Sequence, residues 1–391
     1  MPLLLDSLFS SIALGHLMVD LLNGSRPVLL AYLSEPLGLT NANIGLISTL
    51  YVATASITQP VFGWLSDRFG PRWLAAGGLF WMMGFFMLAM LLPGTEALVF
   101  LVIASLGSAA LHPAGAMQAT VRGRTHYAGR ETTAASFFFL FGQLGLFLGP
   151  IIAGPLLDRF GLPGLLIPAG LCLPVALNAT WQLRHTRPSH VSERVQSAGK
   201  IGHSIWFIIT LTTIAVLQAW AQQNMVTFIP KYLKDLGQTP AIYGLIAGLF
   251  MGGSALGNVL GGHLADRFGK QRVAGTMLAL AGIPLFLLSL VGWSPWLFLL
   301  VPLSGMLTGS VHSIIVVIAQ GVIRGGMALA SGLTLGIMFT AGAFGTLLSG
   351  PLADAWGFPL VFQLTAGLVL AAALATLQLK EITPRQSIVE A

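Results

Sequence analysis

GWLSDRFG, residues 63–70, returns as GHLADRFG at 262–269, 199 positions later. The same offset aligns LGLT at 37–40 with LGQT at 236–239. The chain therefore reads as one unit written twice. A second level lies inside each copy. GPLLDRFG at 154–161 and GPLADAWG at 350–357 carry the same Gly-x-x-x-Asp-x-x-Gly spacing. Chance explains one shared tetrapeptide, but hardly four copies at the ends of corresponding apolar segments.

What lies between these motifs is apolar. Of 391 residues, 55% are hydrophobic and 8% charged, and the mean hydropathy is +0.82. A soluble domain carries about 25% charged residues. This chain cannot cover a water-facing surface, so it reads as a multi-pass membrane protein. Apolar runs of about 20 residues mark the spans. There are twelve: 8–33, 42–66, 73–92, 97–121, 133–157, 162–183, 204–230, 240–265, 273–292, 296–322, 328–353 and 358–379. Backbone groups in lipid need internal partners, and these runs lack the alternation of barrel strands, so the spans are helices. The four motif copies then end spans two, five, eight and eleven. By the span count, the loops after two and eight lie on one side and those after five and eleven on the other. Three-helix units repeating with opposite orientation are the sequence mark of secondary transporters. The expected architecture is all-α: two pseudo-symmetric six-helix bundles, 1–183 and 204–391. A polar linker at 184–203 joins them, and the second bundle ends in a short tail.

With both termini placed in the cytoplasm, fifteen Lys and Arg fall in inner segments. Three fall in outer ones (Arg159, Lys231, Lys234), and Arg26 lies inside a span. That excess fixes the orientation by the positive-inside rule. It also makes the pI of about 9.8 a matter of topology. A nucleic-acid surface would cluster its basic residues with exposed aromatics, which this sequence does not do. No cationic stretch precedes span one and no small-residue cleavage pattern follows it, so it reads as retained rather than as a signal peptide. Cys172 is the only cysteine, which excludes an intramolecular disulfide. The sequence shows no metal-ligand spacing of Cys and His, no nucleophile elbow and no phosphate-binding loop. It reads as neither an enzyme nor a cofactor protein, and no metal site is expected. Energy must come from an ion gradient or the substrate's own gradient.

Span one holds the exception to the apolar pattern. GHLMVDLLNGSRPVLL, residues 15–30, carries His16, Asp20, Asn23 and Arg26. A charge at the bilayer centre costs about 2.5–3.5 kcal/mol on insertion scales, so such groups face a water-filled cavity or each other. At roughly 100° per residue, His16, Asp20, Asn23 and Pro27 share one narrow stripe, while Arg26 falls about 120° from Asp20. His16 and Asp20 sit one turn apart and form a proton-handling pair, with Asp20 exchanging the coupling proton and His16 modulating it. A second reading keeps Asp20 as a structural acid held by Arg26 or backbone donors, and His16 as a packing residue. Arg stays protonated, so Arg26 suits an anionic or polar substrate head; alternatively it snorkels to the outer interface. Softer substrate-binding candidates are Asn23, His112 in span four, Gln143 in span five, Gln218 and Gln222 in span seven, and His312 in span ten. The two late histidines fall in corresponding spans, or else simply bond a neighbouring carbonyl.

GWLSDRFGPRWL at 63–74 resembles the loop signature between spans two and three of the major facilitator superfamily, Gly-x-Leu-Ala-Asp-Arg-x-Gly-Arg-Arg-x-x-Leu, departing at Ser66 and Pro71. The resemblance covers essentially the whole chain. It implies that Asp67, Arg68 and Arg72, with Asp266 and Arg267 in the second copy, latch the bundles when the cytoplasmic side closes. The alternative is a solvated loop needed only for orientation. GLFLGPIIAG at 145–154 resembles the motif helix of the drug–proton antiporter branch through Gly145, Gly149, Pro150 and Gly154, with Ala153 in place of one Gly. Small residues at this spacing also let helices meet closely in any bundle. That branch commonly carries an Arg within span four, where this chain has His112. QPVFGWLSD at 59–67, GSAALHP at 107–113 and the His-x-x-x-Asp of span one look most like the fosmidomycin-resistance branch of efflux proteins.

The expectation is thus a secondary active transporter that exports a small polar or amphipathic compound against protons, by alternating access. Alternatives are a symporter or uniporter importing a small organic anion, and a lipid-handling membrane protein. The expected partners are a small-molecule substrate, protons and membrane lipid, with no nucleic acid. The expected form is a monomer in a bacterial-type cytoplasmic (inner) membrane, without a cofactor.

Overall fold

The computed structural model describes residues 2–127, 131–186, 205–322 and 327–379. Among these residues there are helices and turns but no strand. The first half of the chain forms α1 (Ser7–Leu33), α2 (Asn41–Phe69), α3 (Pro71–Leu91), α4 (Glu96–His126), α5 (Glu131–Phe160) and α6 (Leu166–Gln182). The second half forms α7 (Ile205–Asp235), α8 (Pro240–Phe268), α9 (Lys270–Val291), α10 (Leu297–Gly309), α11 (His312–Val322) and α12 (Met327–Thr376). Most of the expected linker, and the tail beyond 379, lie outside the described residues.

Ten helices among the described residues are long and apolar enough to cross a membrane. The difference from twelve has two sources. Helix α1 does not reach this class, because His16, Asp20, Asn23 and Arg26 lower its hydropathy; 19 of its 27 residues are nevertheless buried. Residues 336–376 form a single continuous element of 41 residues. At 1.5 Å per residue it would extend about 60 Å, twice a hydrocarbon core of about 30 Å. Its backbone leaves the helical region at Gly357, φ 80° and ψ 169°, where the chain turns back. Conversely, the expected tenth span is interrupted at 310–311, where the Ser310 hydroxyl donates to the Leu307 carbonyl at 2.7 Å.

The motif glycines have a common reason. Gly70, Gly161, Gly269 and Gly357 all have positive φ, a region that side chains other than hydrogen rarely tolerate. Each lets one membrane helix stop and the next start at once. The remaining positive-φ glycines pair in the same way: Gly38 with Gly237, and Gly94 with Gly292. Every such turn in the first half thus has a counterpart 196 to 199 residues later.

Within the first half α1 packs on α5 and α3 on α4; within the second, α7 packs on α12 and α8 on α10. Between the halves, α2 packs on α12, α5 on α8, and α1 on α7. All hydrogen bonds between the halves, among the described residues, gather at one end. Asn41 and Ala42 reach Asp354, Thr49 reaches Ala343 and Thr346, and Lys234 reaches Ser34 and Glu35. The Asp-Arg-Phe-Gly copies at 67–70 and 266–269 lie at the other end, with no such bond between the halves. The end opposite these motifs is closed.

Candidate functional site

Asp20 is 6% exposed and lies among groups from three helices. His16, one turn earlier on α1, brings Nε2 to 3.1 Å from one carboxylate oxygen. His112, from α4, brings Nε2 to 3.5 Å from the other. Asn23 donates to Asp20 at 2.8 Å and to the Ser108 hydroxyl at 3.0 Å. The Tyr51 hydroxyl of α2 donates to Asn23 at 2.6 Å. Span one's polar stripe is therefore real, and it is completed by side chains from α2 and α4.

The orientation of both imidazoles is fixed by their second nitrogens. His16 Nδ1 meets the Phe138 carbonyl at 2.8 Å, and His112 Nδ1 meets the Ser108 carbonyl at 2.7 Å. A carbonyl only accepts, so each Nδ1 carries the hydrogen and each Nε2 faces the carboxylate. A proton on Nε2, or on the carboxyl oxygen facing it, makes that contact a hydrogen bond; with neither, two acceptors face each other. Phe138 stacks on His16 with ring centroids 4.1 Å apart, and His112 meets His16 edge-on at 4.7 Å. The donor atoms of His16, Asp20 and His112 lie within 4.8 Å of one another, close enough to share one proton or another small cation. His112 keeps 24% of its side chain exposed, which gives the cluster its opening.

Helix α5 covers the cluster's other side with glycine. A Cβ at Gly142 would sit 2.5 Å from His16 Nε2 and 2.7 Å from Asp20 Oδ2. Gly145 and Gly149 bring the α5 backbone against the Leu17 and Leu21 carbonyls of α1. The Gly-x-x-x-Gly spacing seen in the sequence thus seats α1. Gly154 and Pro150 lie further along, against Pro240 and Gly244 of α8.

Arg26 is buried and does not reach the outer surface. Its guanidinium lies over the Tyr51 ring, 4.6 Å from the centroid, and its Nε has no hydrogen-bond partner. Among the described residues no carboxylate forms an ion pair with it. The remaining candidates are apart from this cluster. Gln218 donates to the Thr308 carbonyl at 3.0 Å and Gln222 to the Ser254 hydroxyl at 3.0 Å; Thr308 donates to Gln222 at 2.8 Å. These amides tie α7 to α8 and α10. Gln143 is half-buried in α5. His312 opens α11 beside Phe339, with ring centroids 6.3 Å apart, far from any contact with His112. At the end that carries the first and third motif copies, Arg68 lies over Trp64 and Phe69, Arg72 over Trp73, and Arg267 over Phe268. Asp67 and Asp266 are exposed, and among the described residues neither forms an ion pair.

Sequence reasoning did not find Tyr51, Ser108 or Gly142. Ser108 had a signal, since it precedes His112 by one helical turn. Tyr51 and Gly142 had none, because only the packing of α2 and α5 on α1 gives them a role.

The profile of the Major Facilitator Superfamily matches residues 12–221 and 211–389. The chain belongs to the Major Facilitator Superfamily. It is similar to the fosmidomycin resistance protein of Escherichia coli (strain K12), with 26% identity over 374 residues, 93% of this chain and 90% of that protein. It is also similar to YfnC of Bacillus subtilis (strain 168), an MFS-type transporter called uncharacterized. There the identity is 28% over 365 residues, 88% of this chain and 86% of that one. Among solved structures, the nucleoside transporter NupG superposes with a TM-score of 0.74 at 19% identity, covering 95% of this chain and 98% of its own. A bacterial homolog of the human lysosomal transporter Spinster gives 0.72 at 14% identity, covering 96% and 99%. These superpositions establish the major facilitator fold. The protein is a multi-pass membrane transporter, not an enzyme.

Proposed function

We propose that this transporter exports a small polar or amphipathic compound in exchange for protons. The observation that carries this reading is the Asp20 cluster, in which two imidazoles turn Nε2 toward one buried carboxylate. Such a cluster holds or releases a proton with little movement. Its opening at His112 lets substrate and proton compete. The likeness to a fosmidomycin resistance protein supports the outward direction. The paired glycine turns support twelve spans in two pseudo-symmetric bundles with inverted three-helix repeats. The basic residues on one side support an inner membrane with cytoplasmic termini. In that frame the closed end is the outer one, and the open end carries Asp67, Arg68, Arg72, Asp266 and Arg267. These five residues would meet across the halves in the opposite state. Asp20 and His16, with His112 now joined to them, would handle the proton, and no cofactor is needed.

The uncompensated guanidinium of Arg26 supports a second reading, uptake of a small organic anion. Proton-driven transport in proteoliposomes tests both. Asp20→Asn is expected to abolish uphill export while leaving downhill movement. Uphill export that survives with its pH response intact would refute the coupling role. Arg26→Gln that removes uptake, with no effect on export, would favour the second reading.

A further inference from the structure

The sequence gives the motif copies at 63–70 and 262–269 a gate role and leaves those at 154–161 and 350–357 with none. The closed end is where these two lie. Asp354 of α12 crosses between the halves to the start of α2. Its Oδ1 accepts from the Asn41 amide and its Oδ2 from the Ala42 amide, both at 2.8 Å. A helix start leaves such amides without intrahelical partners and carries a partial positive charge. Both bonds are therefore charge-assisted. Gly350, one turn before Asp354, makes the approach close: a Cβ there would sit 2.5 Å from the Asn41 carbonyl.

The other seam is built on the same plan and lacks the bond. Gly154 lies against the Pro240 carbonyl and Ala241 as Gly350 lies against Asn41 and Ala42. Asp158 follows Gly154 by one turn, as Asp354 follows Gly350. Helix α8 starts after Thr239 with Pro240, where α2 starts after Thr40 with Asn41. Proline has no N–H to give. Among the described residues no hydrogen bond from α8 reaches Asp158. Pro240 stands where Asn41 gives its amide, and the Ala241 amide, counterpart of Ala42's, does not reach the carboxylate. The Ile242 amide returns to Thr239, and the buried Tyr243 hydroxyl has no partner. Asp354 is itself exposed, so what sets it apart is its pair of bonds to fixed helix-start amides. The Lys234–Glu35 pair nearby joins two long side chains in solvent and adds little.

We infer that Asp354 is the latch of the closed end, and that Pro240 leaves the α5–α8 seam without one. Closure is then decided at the α2–α12 seam alone. This rests on the reading of the protein as an alternating-access transporter, and on no assumption about substrate or coupling ion.

The test uses the full chain in lipid nanodiscs, with Cys172→Ser and two spin-label pairs. One pair, at Pro36 and Pro295, reports the closed end; the other, at Trp73 and Arg272, reports the open end. Asp354→Asn is expected to raise the ratio of open to closed at the first pair roughly tenfold, the effect of weakening two charge-assisted bonds. The second pair shortens in step, which unfolding would not produce. Asp158→Asn is expected to change nothing. Pro240→Ala restores an amide at the start of α8 and is expected to shift the ratio toward closed, and Asp158→Asn added to it cancels that shift. The latch is overturned if Asp354→Asn leaves both distances unchanged, or if Asp158→Asn opens the end as much. It is equally overturned if Pro240→Ala has no closing effect, an arm that stands even should Asp354→Asn fail to fold. A single fixed distance at both ends in every variant and at every substrate concentration would overturn alternating access itself.

Discussion

Gly142→Ala places one methyl group at the most crowded point of the Asp20 cluster. The new Cβ would lie 2.5 Å from Cε1 and Nε2 of His16 and 2.7 Å from Asp20 Oδ2, where ordinary contact begins at 3.4 Å. About 0.9 Å must be found. His16 is a poor source of it, because its ring is stacked on Phe138 and bonded to that residue's carbonyl. Asp20 is held by Asn23. If α1 and α5 separate instead, Gly145 and Gly149 lose their backbone contacts. Overpacking of this kind costs about 1–3 kcal/mol. Should His16 swing away, the lost bond to a charged partner costs about 1.5–3 kcal/mol. Either route lowers the melting temperature of the purified protein and separates His16 from Asp20. Thermal unfolding in detergent and proton-driven transport in liposomes measure both effects. Gly84→Ala serves as the control, since no atom lies within 4 Å of its Cβ position. It should gain about 0.5–1 kcal/mol from reduced chain freedom. A Gly142→Ala protein as stable and as active as the wild type would refute the packing described for the cluster.

Two more expectations concern the cluster's surroundings. Tyr51→Phe keeps the ring under Arg26 but removes the bond to Asn23. The orphaned acceptor should cost about 1–3 kcal/mol, and Tyr51→Leu should cost about 1–2 kcal/mol more through the lost cation–π contact; equal melting points for the two variants would count against that contact. At the start of α1, Asp6 accepts from Arg122 at 2.7 and 2.9 Å, from the Phe9 amide at 2.8 Å and from Tyr127 at 3.1 Å. Burial works to raise its carboxyl, but these partners outweigh it and hold the group below the usual carboxylate range. A depressed folded value contributes stability that is present above the unfolded value, about 3.9, and lost as pH falls through the folded one. The difference in melting temperature between wild type and Asp6→Asn should be full at neutral pH and vanish in strong acid. A difference independent of pH would show that Asp6 acts through shape rather than charge.

How much of this was legible beforehand depended on the distance involved. Helix positions and the four motif turns follow from local pattern, because apolar length and glycine act within one segment. The His16–Asp20–Asn23 stripe was legible too, since helical geometry places it without knowledge of the fold. His112 was singled out, but as a substrate ligand. Its partnership with Asp20 spans 92 residues and depends on how α4 leans on α1, which no periodicity records. Gln218 and Gln222, four residues apart on one face of span seven, read as substrate-binding amides. In the fold they also bond to α10 and α8, which no spacing within α7 records. Nothing in the sequence marks Phe138, whose ring stacks on His16 and whose carbonyl sets that residue's tautomer. The interruption at 310–311 fell inside a smooth hydropathy run and left no trace in composition.

The seams between the halves have one more consequence. At Gly45, Gly154, Gly244 and Gly350 it is backbone that meets backbone, and no large side chain is socketed into the facing helix at these points. Further along the α5–α8 seam the contact changes: the Ile151 and Phe147 side chains of α5 fill the space over Gly248 and Gly252 of α8. Parting the backbone contacts uncovers no large side chain, whereas parting the Ile151 and Phe147 contacts exposes apolar surface. At the closed end the halves thus meet as smooth plates that small polar forces can hold, while deeper in the α5–α8 seam two side chains must leave their sockets.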